Sequence, residues 1–388
     1  MYAEKSVRAI ILSGGLGQRL HPLTDPRINP RAVPKGLLPL GNVPAIEYLV
    51  RKLVREGIKD ISIATSFMGD KIKRFLKYGE SFGADIDFKD DVGITQSGDM
   101  LAITNIAMEK VAQGFSGRFV VLSSDIVTDL KIEDALMFHF EKKIQRPDVK
   151  ILTMVVNEVP ISEVYRFGTV QIDVNGQVLK FWQKNPNSPS NLNNSSIYIF
   201  DSVIFSQLPV DVRAEISTIP PFFQWFISQN PEYSFYVFKH NGYWRDFGEL
   251  GSYLQTQWDI LDGKTDFIPR GVFIDKGFIA DLKGARIVGP SLIGADCNFG
   301  KGTIISPYVV IGDNFSFGQN IQVSGSIFLG NADLWSDFRG VVSSGSIIEN
   351  SIIVSKETNG DIKHELIIDN VSTTKLPVKP KAQSHIDL

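Results

Sequence analysis

The chain holds a single cysteine, Cys297, among 388 residues, so no internal disulfide can form and a reducing compartment is expected. No cluster of Cys and His has the spacing of a zinc site. Basic charge is not in surplus either: the net charge is −3 and no lysine-rich run occurs, which argues against a nucleic-acid or anionic-membrane partner. Any phosphate binding therefore has to be local. No apolar run approaches the roughly 18 residues of a membrane span. The opening MYAEKSVRAII enters a strand without the apolar segment of a secretory signal. These absences lead to the expectation of a cytoplasmic globular protein. The length suggests two or three domains with ample apolar content for a core.

What is present begins at residues 9 to 24, AIILSGGLGQRLHPLT. The run from Val7 through Leu12 is apolar and partly β-branched, as a buried parallel strand requires. Gly14, Gly15 and Gly17 then permit a loop whose backbone N–H groups face an anion, and Arg19 adds a forked, permanently charged donor. Two familiar glycine loops are excluded by spacing. A dinucleotide fingerprint would need glycine where Leu20 stands and an acidic residue about 20 positions on. A Walker loop would need Gly-Lys-Ser/Thr, whereas Gly17 is followed by Gln18 and Arg19.

Residues 1–262 alternate strand-like and amphipathic runs, predicting an α/β domain with a Rossmann-like, mostly parallel sheet. Strands are expected at 7–13, 61–65, 119–123 and 151–156. Helices are expected at 44–56, 69–78, 100–112, 131–143 and 251–261, and a hairpin turning at Asn175-Gly176. Residues 263–355 follow another rule. Large apolar residues recur every six positions from Ile287 to Ile353, with Leu329, Trp335, Val341 and Ile347 in the series. One inward side chain per short strand, followed from Gly294 to Ser336 by Gly or Ser at each corner, predicts a left-handed parallel β-helix. Residues 356–388 read as a short end structure and a loose tail.

A glycine-rich phosphate loop on a parallel sheet, followed by a hexapeptide β-helix, resembles the sugar nucleotidyltransferases, or NDP-sugar pyrophosphorylases. The opening motif and VPKGLLPLGNVPAIEYLV at 33–50 carry the likeness most specifically, the latter matching the family's Pro-Lys segment and following helix. The resemblance implies attack of a hexose 1-phosphate on the α-phosphorus of a nucleoside triphosphate, with release of pyrophosphate. By resemblance, Leu12, Gly14, Gly15 and Gly17 bind the nucleotide, Arg19 meets the leaving pyrophosphate and Lys35 a substrate phosphate. Asp125, ending FVVLSSD, and Asp246, in GYWRDFGELG, would hold Mg²⁺. Asp246 lies in what resembles the family's Trp-x-Asp-x-Gly motif. On the sugar side fall Gly168, Gln183, Lys184 and Asn194; Gln183 stands where the family commonly has glutamate, and Ser196 where it has glycine.

Gln96, Gly98 and Asp99 align with the family's base-binding loop. Asp99 occupies a threonine position, and a carboxylate there accepts from a guanine edge, which leads to an expected GTP preference and a product such as GDP-mannose. Ser123-Ser124 replace the usual Asn-Gly before the metal aspartate. The link between Thr24 and Pro34 is longer than the family's and carries Arg27 and Arg31, either as a basic flap over the triphosphate or as a surface insertion; we read it as the insertion. These departures leave open a second class, a non-catalytic paralogue that binds nucleotide or NDP-sugar and regulates a partner. A third, acyl transfer on the β-helix, needs a histidine base, and none occurs between His240 and His364. The repeat is therefore expected to be structural and to support homo-oligomers.

Overall fold

Strand β1 (Val7–Ser13) carries Ala9, Ile10 and Ile11 without exposed surface because it runs at the middle of a sheet covered on both faces. The computed structural model describes residues 7–90, 99–208, 218–229, 232–282, 284–331, 333–369 and 371–376. These fall into two compact units. One takes the chain up to Gly15 together with Leu49–Trp244; the other takes Leu16–Tyr48 together with the chain from Arg245 onward.

In the first unit β1 pairs in parallel with β2 (Asp60–Thr65) on one side and β4 (Arg118–Ser123) on the other, and β3 (Asp85–Asp90) extends the parallel run beyond β2. Strand β8 (Leu192–Asp201) turns antiparallel against β4. It also meets the hairpin of β6 (Gly168–Ile172) and β7 (Val178–Gln183), giving the order β7-β6-β8-β4-β1-β2-β3. Strand β5 (Lys150–Glu158) pairs with β8 and carries β9 (Tyr233–Lys239) in parallel. Gly176 takes φ 78° at the hairpin turn, the conformation for which Asn-Gly was read.

The helices α1 (Ala45–Arg55), α2 (Gly69–Leu76), α3 (Asp99–Ala112) and α4 (Ile132–Gln145) form where the apolar periodicity places them. Helix α5 (Ile219–Ser228) starts on two prolines, tolerated where N–H groups have no helical acceptor. It buries Phe222, Phe223 and Phe226 against Phe200, Phe181 and Phe235.

The second unit contains α6 (Leu250–Leu261) and a solenoid of three sheets whose strands stack in parallel from coil to coil. This is the parallel β-helix that the six-residue period required. Ile287 pairs with Ile305 and Ile305 with Val323, all three buried in one column. The period then fails. Phe328 rather than Leu329 pairs with Ile311 and Ile353 and fills the core. In the next coil Val342 and Ile348 are fully buried, while Val341 is 47 % exposed and Ile347 half-buried. The sequence reading had placed Leu329, Val341 and Ile347 inward. Val323 and Phe328 stand five residues apart instead of six, and because strand side chains alternate, a shift of one residue reverses which set faces in; the loop at 330–339 leaves the coil only after that corner. Trp335 packs on the core only from that loop.

Residues 16–48 have little regular structure: 3-10 turns at Gln18–Leu20 and Lys35–Leu37, and a ladder of Pro39–Leu40 with Val43–Pro44. They are held instead by α6. Tyr253 Oη and Gln257 Nε2 both donate to the carbonyl of Pro39, and Gln257 Oε1 accepts the amide of Gly41 at 2.8 Å.

Candidate active site

The C-terminal edge of the parallel strands gathers the first group of expected site residues. Leu12 is paired with Ser123 across β1 and β4, and the amide of Ser124 donates to the Leu12 carbonyl at 3.0 Å. Gly14 and Gly15, leaving β1, and Asp125, leaving β4, thus emerge from neighbouring strand ends. Asp125 is 6 % exposed, and Ser123 Oγ donates to its Oδ1, which orients the carboxylate. The serine that replaces asparagine at 123 thereby acquires a definite task. Among the described residues, the hydroxyls of Ser13 and Ser124, at 2 % and 0 % exposure, have no hydrogen-bond partner.

In the second unit, Gly17 takes φ 63°, where a Cβ would crowd the side chain of Thr24 at 3.2 Å. Thr24 Oγ1 donates to the Gly17 carbonyl at 2.9 Å and closes the loop. Arg19 follows on the 3-10 turn, 56 % exposed, with Nη1 3.9 Å from Glu249 Oε2. Asp246 lies in the same motif as Glu249. Its Oδ1 accepts the amide of Gly248 at 2.6 Å, and Ser252 Oγ donates to its carbonyl. Lys35 opens the second 3-10 turn, behind Pro34. Arg27 is bound to Asp25, whose carboxyl it holds down at about 2. Arg31 is bound to Asp369. Both arginines of the long link are thus engaged by carboxylates.

The sugar-side residues come together in the first unit. Gly168 pairs with Gln183, and a Cβ on Gly168 would lie 3.0 Å from Gln183 Oε1 and 2.6 Å from Phe181, so glycine is required there. Lys184 follows at φ 48°, its amide bonded to the Phe167 carbonyl at 2.8 Å. Asn194 Oδ1 accepts the Ser196 amide at 3.0 Å, and its Nδ2 donates to Tyr198 Oη at 2.8 Å. Ser196 stands at φ 58° within a bulge of β8, a conformation that favours glycine and makes serine there a strained choice.

Asp99 is the first residue of α3, where the helix dipole favours a carboxylate, and its charge helps to raise the Tyr198 phenol, chiefly raised by burial. Tyr198, bonded to Asn194 and within the electrostatic influence of Asp99, was not singled out in the sequence, because a buried tyrosine on a strand reads as core. Trp244, half-buried, is the tryptophan of the Trp-x-Asp-x-Gly motif and was given no role in the sequence; its Nε1 donates to the Ser195 carbonyl at 2.9 Å and its ring meets Phe167 edge-on. Gln96 and Gly98 lie outside the described residues. Among the described residues no three or more His, Cys, Asp or Glu side chains cluster as a self-contained metal cage, and no helix is long and apolar enough to cross a membrane.

An α/β unit with a glycine-rich anion loop at the strand ends, carried by a chain that ends in a parallel β-helix, defines a phosphate-handling enzyme class. Residues 8–263 match the nucleotidyl transferase family, and the chain belongs to that family. It is similar to a UTP–glucose-1-phosphate uridylyltransferase of Synechocystis sp., 25 % identical over 339 residues, 78 % of this chain and 82 % of that one. It is also similar to mannose-1-phosphate guanyltransferase beta-A of Xenopus laevis, 28 % identical over 298 residues, 75 % and 74 % of the two chains. Among solved structures it resembles a putative glucose-1-phosphate thymidylyltransferase from Bacillus anthracis in complex with a sucrose. That likeness has a TM-score of 0.54 and 25 % identity, and covers 68 % of this chain and 98 % of that one.

Proposed function

We propose that this nucleotidyltransferase joins a hexose 1-phosphate to GTP, giving a GDP-hexose such as GDP-mannose and pyrophosphate. The observation that carries nucleotidyl transfer is the pairing of β1 with β4, which brings the glycine loop and the Asp125 carboxylate out of adjacent strand ends. That is where open α/β sheets bind their ligands. A phosphate oxygen of the sugar phosphate attacks the α-phosphorus; the new P–O bond forms as the bond to the β-phosphate breaks, and pyrophosphate leaves. Such a transfer depends on alignment and on neutralised charge more than on covalent help from the protein. Backbone N–H groups of Gly14, Gly15 and Gly17 cradle the triphosphate, Arg19 takes charge on the departing pyrophosphate, and Lys35 steadies a substrate phosphate. Gly168, Gln183, Lys184 and Asn194 orient the hexose phosphate.

The family resemblance would have Asp125 and Asp246 hold Mg²⁺, an ion that binds through one or two carboxylates plus substrate phosphates; within its own unit each is oriented, Asp125 by Ser123 and Asp246 by the Gly248 amide. Bound there, Mg²⁺ would neutralise phosphate charge.

GTP rests on Asp99, whose carboxylate accepts from the N–H donors of a guanine edge. A matrix of nucleoside triphosphates against hexose 1-phosphates, read as pyrophosphate formed, tests both layers. GTP with mannose 1-phosphate is expected to give the highest kcat/KM. Preference for UTP or dTTP removes the base assignment, and no release with any pair returns the chain to the binding-only class.

Self-association through the β-helix is the second part of the reading. Its first strands, Val272–Ile274 and Ile279–Leu282, are sheet edges that leave Val272, Phe278 and Ile279 62 %, 66 % and 45 % exposed. Exposed apolar edge strands are templates for pairing with another chain. Light scattering on eluting protein is expected to show a dimer or larger, and Ile279→Asp a shift toward monomer; a monomeric native protein overturns it.

A further inference from the structure

The two stretches that depart from regular spacing touch each other. One is the long link between Thr24 and Pro34. The other is the loop at 330–339, which leaves the solenoid coil just after its six-residue period breaks. The Arg31 guanidinium lies 5.2 Å from the centre of the Phe338 ring, and its Nη1 is 2.6 Å from Asp369 Oδ1. Although Arg31 carries a full charge, its side chain is only 15 % exposed. Asn331 Nδ2 donates to the Asn42 carbonyl at 3.0 Å, while Asn331 Oδ1 accepts the amides of Asp333 and Leu334. Asn42 Nδ2 in turn donates to the Ile311 carbonyl at 2.8 Å. Arg270 bridges Glu47, at 2.8 Å, and Asp333. Asn42 and Asn331 are 3 % and 1 % exposed, so these bonds are sheltered from competing water.

Up to the start of α1, residues 16–48 are built of local turns, two 3-10 turns and a two-residue ladder, and such short elements gain their persistence from what they pack against. We propose that the 330–339 loop is a clamp that positions this segment on the β-helix, and with it Arg19 and Lys35. Arg31 and Asn331 are its positioning residues; they act through the segment and do not touch substrate. The inference rests on the roles of Arg19 and Lys35 given above. It assigns the β-helix a part in catalysis, since a displacement of about 1 Å in a charge-bearing group can cost on the order of a hundredfold in rate.

The test compares Arg31→Ala and Asn331→Ala in the full chain with Lys375→Ala, which removes only the exposed pair with Glu365. Amide hydrogen exchange is followed across 16–38, and kcat and KM are measured for each substrate by pyrophosphate release. Exchange across 16–38 is expected to quicken about tenfold or more in both clamp variants while β1, β2 and β4 keep native protection. In the same variants kcat is expected to fall about tenfold, with KM for the triphosphate rising more than KM for the sugar phosphate. The charge exchange Arg31→Asp with Asp369→Arg is expected to recover both signals. Native exchange across 16–38 in both single variants overturns the clamp, as does faster exchange with unaltered kcat and KM. If the unaltered protein releases no pyrophosphate, the exchange result alone decides the clamp, and the reading that fails is that of Arg19 and Lys35.

Discussion

Asp246→Asn is expected to lower kcat for pyrophosphate release by about a thousandfold, the scale of losing one charge-stabilising group in a preorganised site. The substitution is chosen because it separates charge from structure. Asparagine keeps an Oδ1 that can accept the Gly248 amide, and the backbone carbonyl that receives Ser252 Oγ is unchanged. The turn should therefore survive, with a melting temperature within about 2 °C of native. What disappears is the negative charge that, on the proposed reading, would bind a divalent cation. Raising Mg²⁺ is expected to recover part of the lost rate if binding rather than chemistry is damaged. A variant that folds and keeps more than about a tenth of native kcat removes Asp246 from the metal site.

Arg19→Ala carries the second largest expected effect, a loss of about 10² to 10³ in kcat/KM. Arg19 is more than half exposed, so little packing is lost with it. Glu249, 3.9 Å away, is its neighbour in the second unit. An exposed pair of this kind contributes little to stability. Its value lies in where it leaves the fork. Arg19→Lys is expected to restore only part of the loss, because an ammonium supplies the charge but not two parallel donors. Full restoration by lysine would reduce Arg19 to a point charge. An unchanged rate in Arg19→Ala would take it out of the site. The readout is steady-state pyrophosphate release with each substrate varied in turn.

The parts of the site that could be read in advance are those whose chemistry is written within a few neighbouring residues. Gly17 at φ 63° and Gly176 at φ 78° are local backbone requirements that glycine announces. Asp125 was legible because a strand's end can be counted from its apolar run. Tyr198 was not legible, and the motif tryptophan Trp244 gave no sign of its partner: Asn194 and Ser195 meet them only when folding brings the strands together. Asp99 shows the opposite case. Its place at the start of α3 has a structural explanation in the helix dipole, which a reading of the aligned position alone did not weigh.

The solenoid shows how far periodicity reaches. Up to Val323 the six-residue series and the buried column agree, but apolar residues also fill Leu329, Val341 and Ile347 while the chain has moved one residue on. Side-chain pattern records that alternation exists, and coil-to-coil hydrogen bonding decides its phase.

By itself, the amino-acid order determined the α/β alternation, the phosphate loop, the β-helix and the identity of the charged residues, because each depends on residues close together along the chain. Only the tertiary structure decided which solenoid residues face inward past Val323, and that residues 16–48 are held by α6 and the 330–339 loop. Arg31 with Asp369, and Asn42 with Asn331, are bonded across most of the chain's length, and such pairs leave no mark on local pattern until folding brings their partners within reach.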